Sequence, residues 1–600
     1  MALSQDPLQR FFECEFRLHP VTATFSGIHG YDHLLPDWSP EGLGNAIDEM
    51  TSVRTGLSTA PQEAPASAGE IRAPTTCTDR LDVRLADGHL EIQIAEMGSR
   101  HFQWSNPALY TGEAVFGVIA LLTRSEAHFG VRLEALTTRL LAIPMFLLRG
   151  RQTLNGAAIP AAWASRALRE CEGAIILLST GLDAWLAQES TRAVTAGADD
   201  GFNRSGVSPA AAWVVDGGGI PGAQAVRNAA RDAMAAFSGF AAWLVRESTE
   251  ASAGRYGCGP DLFDLMLRSG HFCRTTRAAL LVAARCEFEE QASRFAEAAR
   301  RGAAGGWPEI QQRLAADHPD AESFLQAHAD GWQSCRETSV AAELVTWPDD
   351  APLRFEPMPT WIREAAPHLY YLLYRSPPPF DPPAVHRCTI PPIDSAMPVE
   401  ARDQRLRVSN ASVIKLNHVV HHAALGHHVQ NWYAGRAASR VGRYAATDGA
   451  SRIAMLCGGT LAEGWACYAS DLMAETGFLT PLELVAQEHS RLRQLARAVV
   501  DIELHQGTMS FEAAVEFYTG QVGMAESAAR AEACKNSMFP GGAIMYWLGT
   551  SGIHQLRSDL RRARGPRYAP RWFHDRLLSY GAIPVPLIAE SMARDETTSP

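Results

Sequence analysis

The chain has 600 residues, of which 46% are hydrophobic and 20% are charged, so it has enough apolar side chains for a large folded core. Its 54 basic and 66 acidic residues give a formal net charge of −12. Binding to a nucleic-acid backbone requires a basic surface, and this chain has a negative balance and no run of lysine or arginine. We therefore expect no nucleic-acid partner.

The cysteines and the first residues bear on location. All eleven cysteines occur singly, without a Cys-x-x-Cys pair, which predicts reduced thiols and a cytoplasmic protein. Asp6, Glu13 and Glu15 interrupt the apolar residues at the start, so no signal-peptide hydrophobic region is predicted. No apolar run approaches the roughly 18 residues that a membrane helix needs, and we expect no membrane partner. The oligomeric state stays open.

Apolar residues recur at steps of three and four along much of the chain, which is typical of amphipathic helices. The pattern predicts a mostly α protein. The predicted helices, in chain order, cover residues 113–128, 133–148, 160–188, 223–246, 261–299 and 481–505.

The remaining segments suggest how one domain over residues 1–600 is organised. A helical part is predicted over about 1–340, a small β and proline-rich segment over about 341–400, and a second helical part over about 401–592. Strands are expected at 344–347, 353–355 and 385–390 in the β segment. Loops are expected at 58–70 and 216–222, and a frayed tail at 593–600.

Residues 417–430 contain a dense group of histidines. His418, His421, His422, His427 and His428 lie within eleven residues. Neutral imidazole is the commonest protein ligand for zinc and also suits other transition metals. The group therefore predicts a metal site.

The spacing does not fit a regular helix. His421 and His427 are six residues apart, roughly 240° around a helix, and His421 and His428 share a face but lie ~10 Å apart along the axis. A π-type widening at residues 424–426, which Gly426 would permit, would bring His421 and His427 together. Whether His427 or His428 is the second ligand stays open.

The histidine-rich stretch resembles a known signature. Residues 421–430 read His-His-Ala-Ala-Leu-Gly-His-His-Val-Gln, similar to the His-Glu-Ala-Tyr-Pro-Gly-His-His-Leu-Gln of the bacterial domain of unknown function 885 family. The resemblance continues in Glu-Gly-Trp-Ala-Cys-Tyr at 463–468 and in Asp-x-x-x-His at 501–505. It extends to Pro-Gly at 540–541 with the tyrosine at 546, and to the segment 573–584, so it covers nearly the whole chain.

This resemblance implies a large helical fold like that of zinc metallopeptidases of the gluzincin type, with a small β element before the metal-binding helix. Carried over by position, the metal ligands are His421, His427 and Glu463. Two imidazoles and a carboxylate leave a position open for water or substrate. The implied cofactor is a divalent metal, zinc in the first place and iron as the alternative, because the same ligand types occur in non-haem iron sites.

The chain departs from the family signature at positions that matter for chemistry. His422 stands where the family has the glutamate that would act as general base. Leu425 replaces a proline, Lys535 and Asn536 replace an Arg-Tyr pair, and Gly542 replaces a glutamine. A histidine has an ordinary pKa of about 6.5 and could still serve as base.

Other residues near these motifs complete the predicted site. Tyr546 could donate a hydrogen bond to a developing oxyanion, and Asp501 could orient an imidazole ligand. Lys535 could attract an anionic group of the substrate. The candidate catalytic residues are His422, Tyr546 and His505, and the candidate supporting or substrate-contacting residues are His418, His428, Asp501, Lys535 and Asn536.

Three functions fit this sequence. The first is a metal-dependent hydrolase that resembles a zinc metallopeptidase and acts on a short peptide or small molecule, diverged at the general-base position. The second is a non-hydrolytic zinc or iron enzyme that acts on a small molecule in a biosynthetic pathway. The third is a catalytically inactive relative that keeps the metal.

Overall fold

The computed structural model describes residues 6–59, 77–124, 129–199, 222–248, 254–447 and 451–598. The loops predicted at 58–70 and 216–222 fall almost entirely outside these ranges. Within the described ranges the protein is mostly helical, as the sequence predicts, with one small sheet. None of the described helices combines the length and the apolar character needed to cross a membrane.

Helices make up most of the chain before residue 342. They are α1 (Pro7–Leu18), α2 (Pro20–Ser26), α3 (Pro40–Thr59), α4 (Cys77–Gly98), α5 (Pro107–Thr123), α6 (Phe129–Thr153), α7 (Ala161–Ile176), α8 (Leu182–Asp199), α9 (Ala223–Ser248), α10 (Pro260–Leu265), α11 (Arg277–Gly302), α12 (Gly306–Ala316) and α13 (Phe324–Ala341).

Two strands and a second set of helices follow. They are β1 (Leu353–Pro357), α14 (Thr360–Arg363), β2 (His386–Ile390), α15 (Val399–Val408), α16 (Ala411–Val413), α17 (His427–Ala434), α18 (Arg440–Tyr444), α19 (Gly459–Glu475), α20 (Pro481–Gln506), α21 (Phe511–Val522), α22 (Glu526–Met538), α23 (Met545–Arg564), α24 (Pro570–Ser579) and α25 (Val585–Thr598). Segments of π-helix adjoin several helices, at Leu177–Gly181, Met266–Gly270, Ile414–Ala423 and Ala454–Gly458.

The predicted helix at 261–299 is divided into α10 and α11. The break follows the π segment at Met266–Gly270, where Phe272 adopts a left-handed backbone with φ of 53°. His271 is buried there and its Nε2 is 2.8 Å from the carbonyl oxygen of Gly541. Thr276 then starts α11 by accepting a hydrogen bond from the backbone of Ala279. A contact 270 residues away in the chain therefore sets the break.

Strands β1 and β2 pair in parallel, with Leu353 opposite His386 and Pro357 opposite Ile390. The strands predicted at 353–355 and 385–390 correspond to them, but the strand predicted at 344–347 is not formed. Its Thr346 donates backbone and hydroxyl hydrogen bonds of 2.8 and 2.6 Å to the carboxylate of Asp575 instead of to a neighbouring strand.

Helix α25 spans Val585–Thr598, and the frayed tail at 593–600 stays a prediction. Leu587, Ile588 and Met592 are buried on its inner side. Burial of each such side chain contributes about 1.5–3 kcal/mol, and this packing holds the first half of α25 against the core.

Helix α20 shows how local sequence signals set helix ends. Thr480 and Glu483 form a capping box, Pro481 occupies the first helical position, and Gly507 ends the helix with φ of 84°. Lys415 also reaches Glu483, with 2.9 Å between its Nζ and Oε2. This contact ties the start of α20 to the π-helix that carries the histidines.

Candidate metal centre

The histidines are positioned by a π-helix that ends abruptly. Asn410 caps the helical run, which is π-helical over Ile414–Ala423. At Ala424 the backbone leaves helical geometry, with φ of −125° and ψ of −115°, and α17 begins at His427. The widening therefore lies upstream of the position predicted at 424–426, where the helix is interrupted outright.

Gly426 makes this interruption possible. A Cβ atom at this position would lie 1.9 Å from the carbonyl oxygen of His421, so no other residue fits without a shift of the backbone. Two tryptophans satisfy carbonyl groups that the break leaves free of helical bonds. Trp332 donates to Ala423 at 2.8 Å, and Trp465 donates to Leu425 at the same distance.

The interruption brings three imidazoles together. One ligand nitrogen from each of His421, His422 and His427 lies within 4.8 Å of the other two. Glu463 on α19 faces them, with its Oε2 atom 3.4 Å from Nε2 of His421 and 3.6 Å from Nε2 of His427. The two histidines and the glutamate that the family resemblance implies as ligands are thus adjacent.

Helix α19 holds Glu463 in place through close packing against α23. A Cβ at Gly464 would lie 2.6 Å from backbone atoms of Gly549. The two helix backbones can approach this closely only because both positions are glycine. Trp465, the next residue on α19, bonds to Leu425 as described, so the carboxylate and the histidine turn share a rigid support.

The protonation states suit a cation. Removal from water lowers the pKa of His421 and lowers that of His422 well below its ordinary value. Burial acts to raise the pKa of Glu463, but its contacts with His421 and His427 outweigh this and hold the pKa well below its usual range. Neutral imidazoles beside an ionised carboxylate are the forms in which these groups bind metals.

His422 has a fixed tautomer. Its Nδ1 is 2.7 Å from the carbonyl oxygen of Asn417, an acceptor only, so Nδ1 carries the proton and donates it. The lone pair is then on Nε2. Metal-binding histidines usually donate their other N–H to a carbonyl or carboxylate in this manner.

The residues present fit a divalent cation. The Oε2 atom of Glu463 is buried, and although the nitrogens of His421 and His427 lie 3.4 and 3.6 Å away, neither forms a hydrogen bond of good geometry with it. A buried carboxylate oxygen without a partner costs free energy, and a cation between it and the imidazoles would remove that cost. Nitrogen and carboxylate oxygen ligands in this combination suit zinc and also iron.

The histidines open into a cavity of about 660 Å³. Lys535, Asn536 and Tyr546 line it, so the structure brings these three predicted residues to the same space as the candidate ligands. Burial raises the pKa of Tyr546 well above its ordinary value, so the phenol stays protonated and can donate a hydrogen bond. Asn536 already donates its side-chain amide to Tyr518.

Two of the predicted supporting histidines lie elsewhere. His418 pairs with His328, with 3.1 Å between Nδ1 and Nε2, and His428 pairs with His386, with 3.3 Å between the two Nδ1 atoms. His428 is fully buried and does not line the cavity. His427 is therefore the histidine of α17 that faces Glu463.

Asp501 and His505 are also placed away from the cavity. The carboxylate of Asp501 accepts backbone hydrogen bonds from Gly541, Ala543 and Ile544 at 2.9–3.3 Å. His505 accepts from the backbone of Cys258 through Nδ1 and donates to the carbonyl of Asn536 through Nε2. Both are fully buried, and neither lines the cavity, so their predicted roles as metal support and catalyst are corrected to structural ones.

Sequence reasoning missed the contribution of the first helices. Glu15 and His19 from the start of the chain and His89 and Glu96 from α4 line the same cavity. Glu15 and His89 are joined by a hydrogen bond of 3.1 Å between Oε2 and Nε2. Sequence patterns could not place these residues beside the histidines, because residues this distant in the chain show no local pattern.

Comparisons with known proteins agree with the fold. The model of DUF885, described as a bacterial protein of unknown function, matches residues 20–592. A solved structure of a candidate lipoprotein of unknown function from Shewanella oneidensis is similar at 18% identity and a TM-score of 0.71, over 99% of this chain and 100% of that one. A candidate lipoprotein from Colwellia psychrerythraea is similar at 16% identity and a TM-score of 0.71, over 99% of each chain. No curated protein matches the chain.

Proposed function

Because the chain belongs to the DUF885 family of bacterial proteins of unknown function, we propose that it is a metal-dependent enzyme of the helical zinc metallopeptidase type. His421, His427 and Glu463 would hold one divalent cation, with zinc as the first choice and iron as the alternative. The observation that carries the proposal is the convergence of three imidazole nitrogens, within 4.8 Å of one another, beside the buried Oε2 of Glu463. This oxygen lies 3.4 and 3.6 Å from the nitrogens of His421 and His427 at the wall of the cavity, without a well-formed hydrogen bond to either.

The chemistry follows from what surrounds the ligands. A bound cation would supply Lewis acidity toward a carbonyl or phosphoryl oxygen of a substrate in the cavity. Tyr546 is protonated and lines the same space, so it can donate to negative charge that develops on that oxygen. The side chains of His421, His427 and Glu463 are at most 21% exposed, and their partial removal from water strengthens both interactions. The substrate is a small molecule or a short peptide, as the cavity of about 660 Å³ suggests.

Metal analysis tests this proposal. We expect protein purified without added metal to contain about one metal ion per chain, and zinc or iron content to identify the cation. Glu463→Ala and His421→Ala should each weaken zinc binding by more than about 100-fold. Loss of a residue that only hydrogen-bonds to a metal ligand typically weakens binding by about 10–100-fold. His33→Ala is the control, because His33 is an exposed histidine outside the cluster. Full metal occupancy in both ligand variants would refute the proposal.

One observation favours a second candidate, a non-hydrolytic metal enzyme. His422 occupies the position of the family's general base and presents Nε2 as a third nitrogen among the ligands. Its pKa lies well below the ordinary histidine value, which makes it a weak base near neutral pH. A site with three imidazoles and no glutamate base would suit chemistry other than peptide hydrolysis.

The exchange His422→Glu separates these two candidates. A carboxylate base next to the first ligand should raise hydrolysis of a peptide or ester panel by about 100-fold, the lower range for general-base catalysis. His422→Gln is the matched control, since it removes the imidazole without adding a base. If the glutamate and glutamine variants hydrolyse the panel at the same rate, the scaffold is not a hydrolase that lost its base.

The cytoplasmic location stays a prediction. The ten cysteines whose side chains the structure describes are unpaired, in keeping with a reducing compartment. The lipoprotein descriptions belong to the two similar structures, whose identity to this chain is 18% and 16%.

A further inference from the structure

A group of basic side chains lines the cavity beside the metal ligands. Arg493 and Arg497 lie one turn apart on α20, and Lys535 lies on α22. We refer to these three residues as the basic wall. All three line the cavity together with Glu463 and Tyr546.

Arg497 is paired within the protein. Its Nε and Nη2 atoms each lie 2.8 Å from an oxygen of Glu532, in a two-bond arrangement. Its guanidinium also lies 4.7 Å from the ring centre of Tyr546. Through these contacts Arg497 joins α20 to α22 and α23, so its charge is already paired within the protein.

Arg493 and Lys535 have no such partners. Within the described part of the chain, no carboxylate oxygen lies within 4.0 Å of either charged group. The Nε of Arg493 is buried without a hydrogen-bond partner. Lys535 is half-buried beside Arg497 and Arg493, and removal from water, followed by the charge of Arg497, lowers its pKa.

Two half-buried cations without partners are unfavourable in a protein interior. The wall carries three positive groups, and of the two carboxylates whose charge acts on Lys535, Glu532 is paired with Arg497 and Glu463 is in contact with His421 and His427. A bound anion would neutralise the excess charge and supply acceptors to the free donors. Guanidinium and ammonium groups together are a common means of binding carboxylates and phosphates.

We propose that Arg493 and Lys535 form an oxyanion-binding subsite, and that the substrate carries a carboxylate or phosphate group which this subsite holds while another part of the molecule reaches Glu463 and the histidines. The statement about the substrate rests on the proposed function. The anion subsite itself does not depend on the metal.

Calorimetric titration of the full-length protein tests the subsite. The probes are N-acetylphenylalanine, phenyl phosphate and, as the neutral match, N-acetylphenylalaninamide. We expect at least one of the two acids to bind about tenfold or more tightly than the amide. All three probes are titrated both before and after a chelator has removed the metal from the protein. Lys535→Met and Arg493→Gln should each reduce that preference about tenfold, whereas Arg300→Gln, at an exposed position on α11, should leave it unchanged. The acid that binds more tightly identifies the carboxylate or the phosphate as the preferred group.

Several outcomes would overturn the subsite. They are equal binding of acid and amide, a preference for the acid that survives both substitutions, and no binding of either acid below about 10 mM.

Two further outcomes separate the subsite from the metal centre. A preference for the acid that disappears when the metal is removed but survives both substitutions would assign the anion to the metal, so the subsite would fail while the proposed function stood. A preference that persists in chelator-treated protein and is lost in the variants supports the subsite even if metal analysis refutes the metal centre. Thermal unfolding of each variant confirms that it is folded.

Discussion

Acidification from pH 6.5 to pH 5.5 is expected to lower the free energy of unfolding by several kcal/mol. Burial in the folded protein lowers the pKa of ten histidines outside the candidate metal cluster, including His19, His101, His328 and His489. For the other six the values are about 4 for His271, His386, His418 and His574, and about 3 for His428 and His505. In the unfolded chain each would have its ordinary pKa of about 6.5.

The sign follows from proton uptake. Between pH 6.5 and 4 the unfolded chain binds protons at these histidines and the folded protein does not, so stability is complete above pH 6.5 and is lost as the pH falls. Each group contributes about 1.4 kcal/mol per pH unit. Four buried carboxyl groups act in the opposite direction, because burial raises the pKa of Asp501 and Glu113 to about 7 and also raises that of Glu170 and Asp82. The histidines exceed these carboxyl groups in number, so the net effect is destabilisation.

Urea unfolding at a series of pH values measures this effect. We expect the midpoint to fall steeply below pH 6.5. His428→Gln should make the fall of the urea midpoint with pH shallower, because it removes one of the buried imidazoles that stay neutral in the folded protein. His428 and His386 face each other through their Nδ1 atoms, and only one proton can lie between these two nitrogens. A midpoint that is constant from pH 7 to pH 5 would contradict the assignment of these histidines as buried and neutral.

The substitution Gly549→Ala is expected to cost about 3 kcal/mol or more of folding free energy. The added Cβ would lie 1.9 Å from the carbonyl oxygen of Thr460 and 2.8 Å from the Cα of Gly464. Both contacts are with backbone, so relief requires α19 and α23 to move apart. Overpacking of interiors typically costs 1–3 kcal/mol, and contact with backbone belongs to the upper end of that range or above it.

The same substitution should also weaken metal binding, because Glu463 precedes Gly464 on the displaced helix. Gly520→Ala is the matched control, since Gly520 is an exposed glycine in α21 with no atom within 4 Å of the added Cβ. That change should leave metal binding intact and stabilise the helix by roughly 0.5–1 kcal/mol. Equal urea midpoints and equal zinc affinities for the two variants would show that the α19–α23 contact does not position the carboxylate.

Much of the fold was predictable because the signals are local. Each of the six predicted helices is helical over most of its described length, since apolar spacing records which face packs inward. The split between α10 and α11 was not predictable, because it depends on the contact of His271 with Gly541. The absence of a strand at 344–347 has the same kind of cause, since Asp575 takes the hydrogen bonds of Thr346.

The candidate site was predictable in part. The spacing of His421 and His427 requires a break in the helix if both are to face one cation, and Gly426 marks where the chain can break. The roles of Asp501 and His505 were wrong, although they share a polar stripe with Arg493 and Arg497 at intervals of four residues. Periodicity places residues on one face of α20, but that face lines the cavity only as far as Arg497. At Asp501 it meets the buried backbone of 541–544.

The sequence by itself determined the helical class, the family, and the identity of the side chains able to hold a cation, because each is recorded in neighbouring residues or in a motif. Only the tertiary structure decided which of five clustered histidines face Glu463, and that Arg493 and Lys535 remain without carboxylate partners beside it. Those outcomes depend on atoms supplied by helices far apart in the chain, and packing rather than local preference sets their distances.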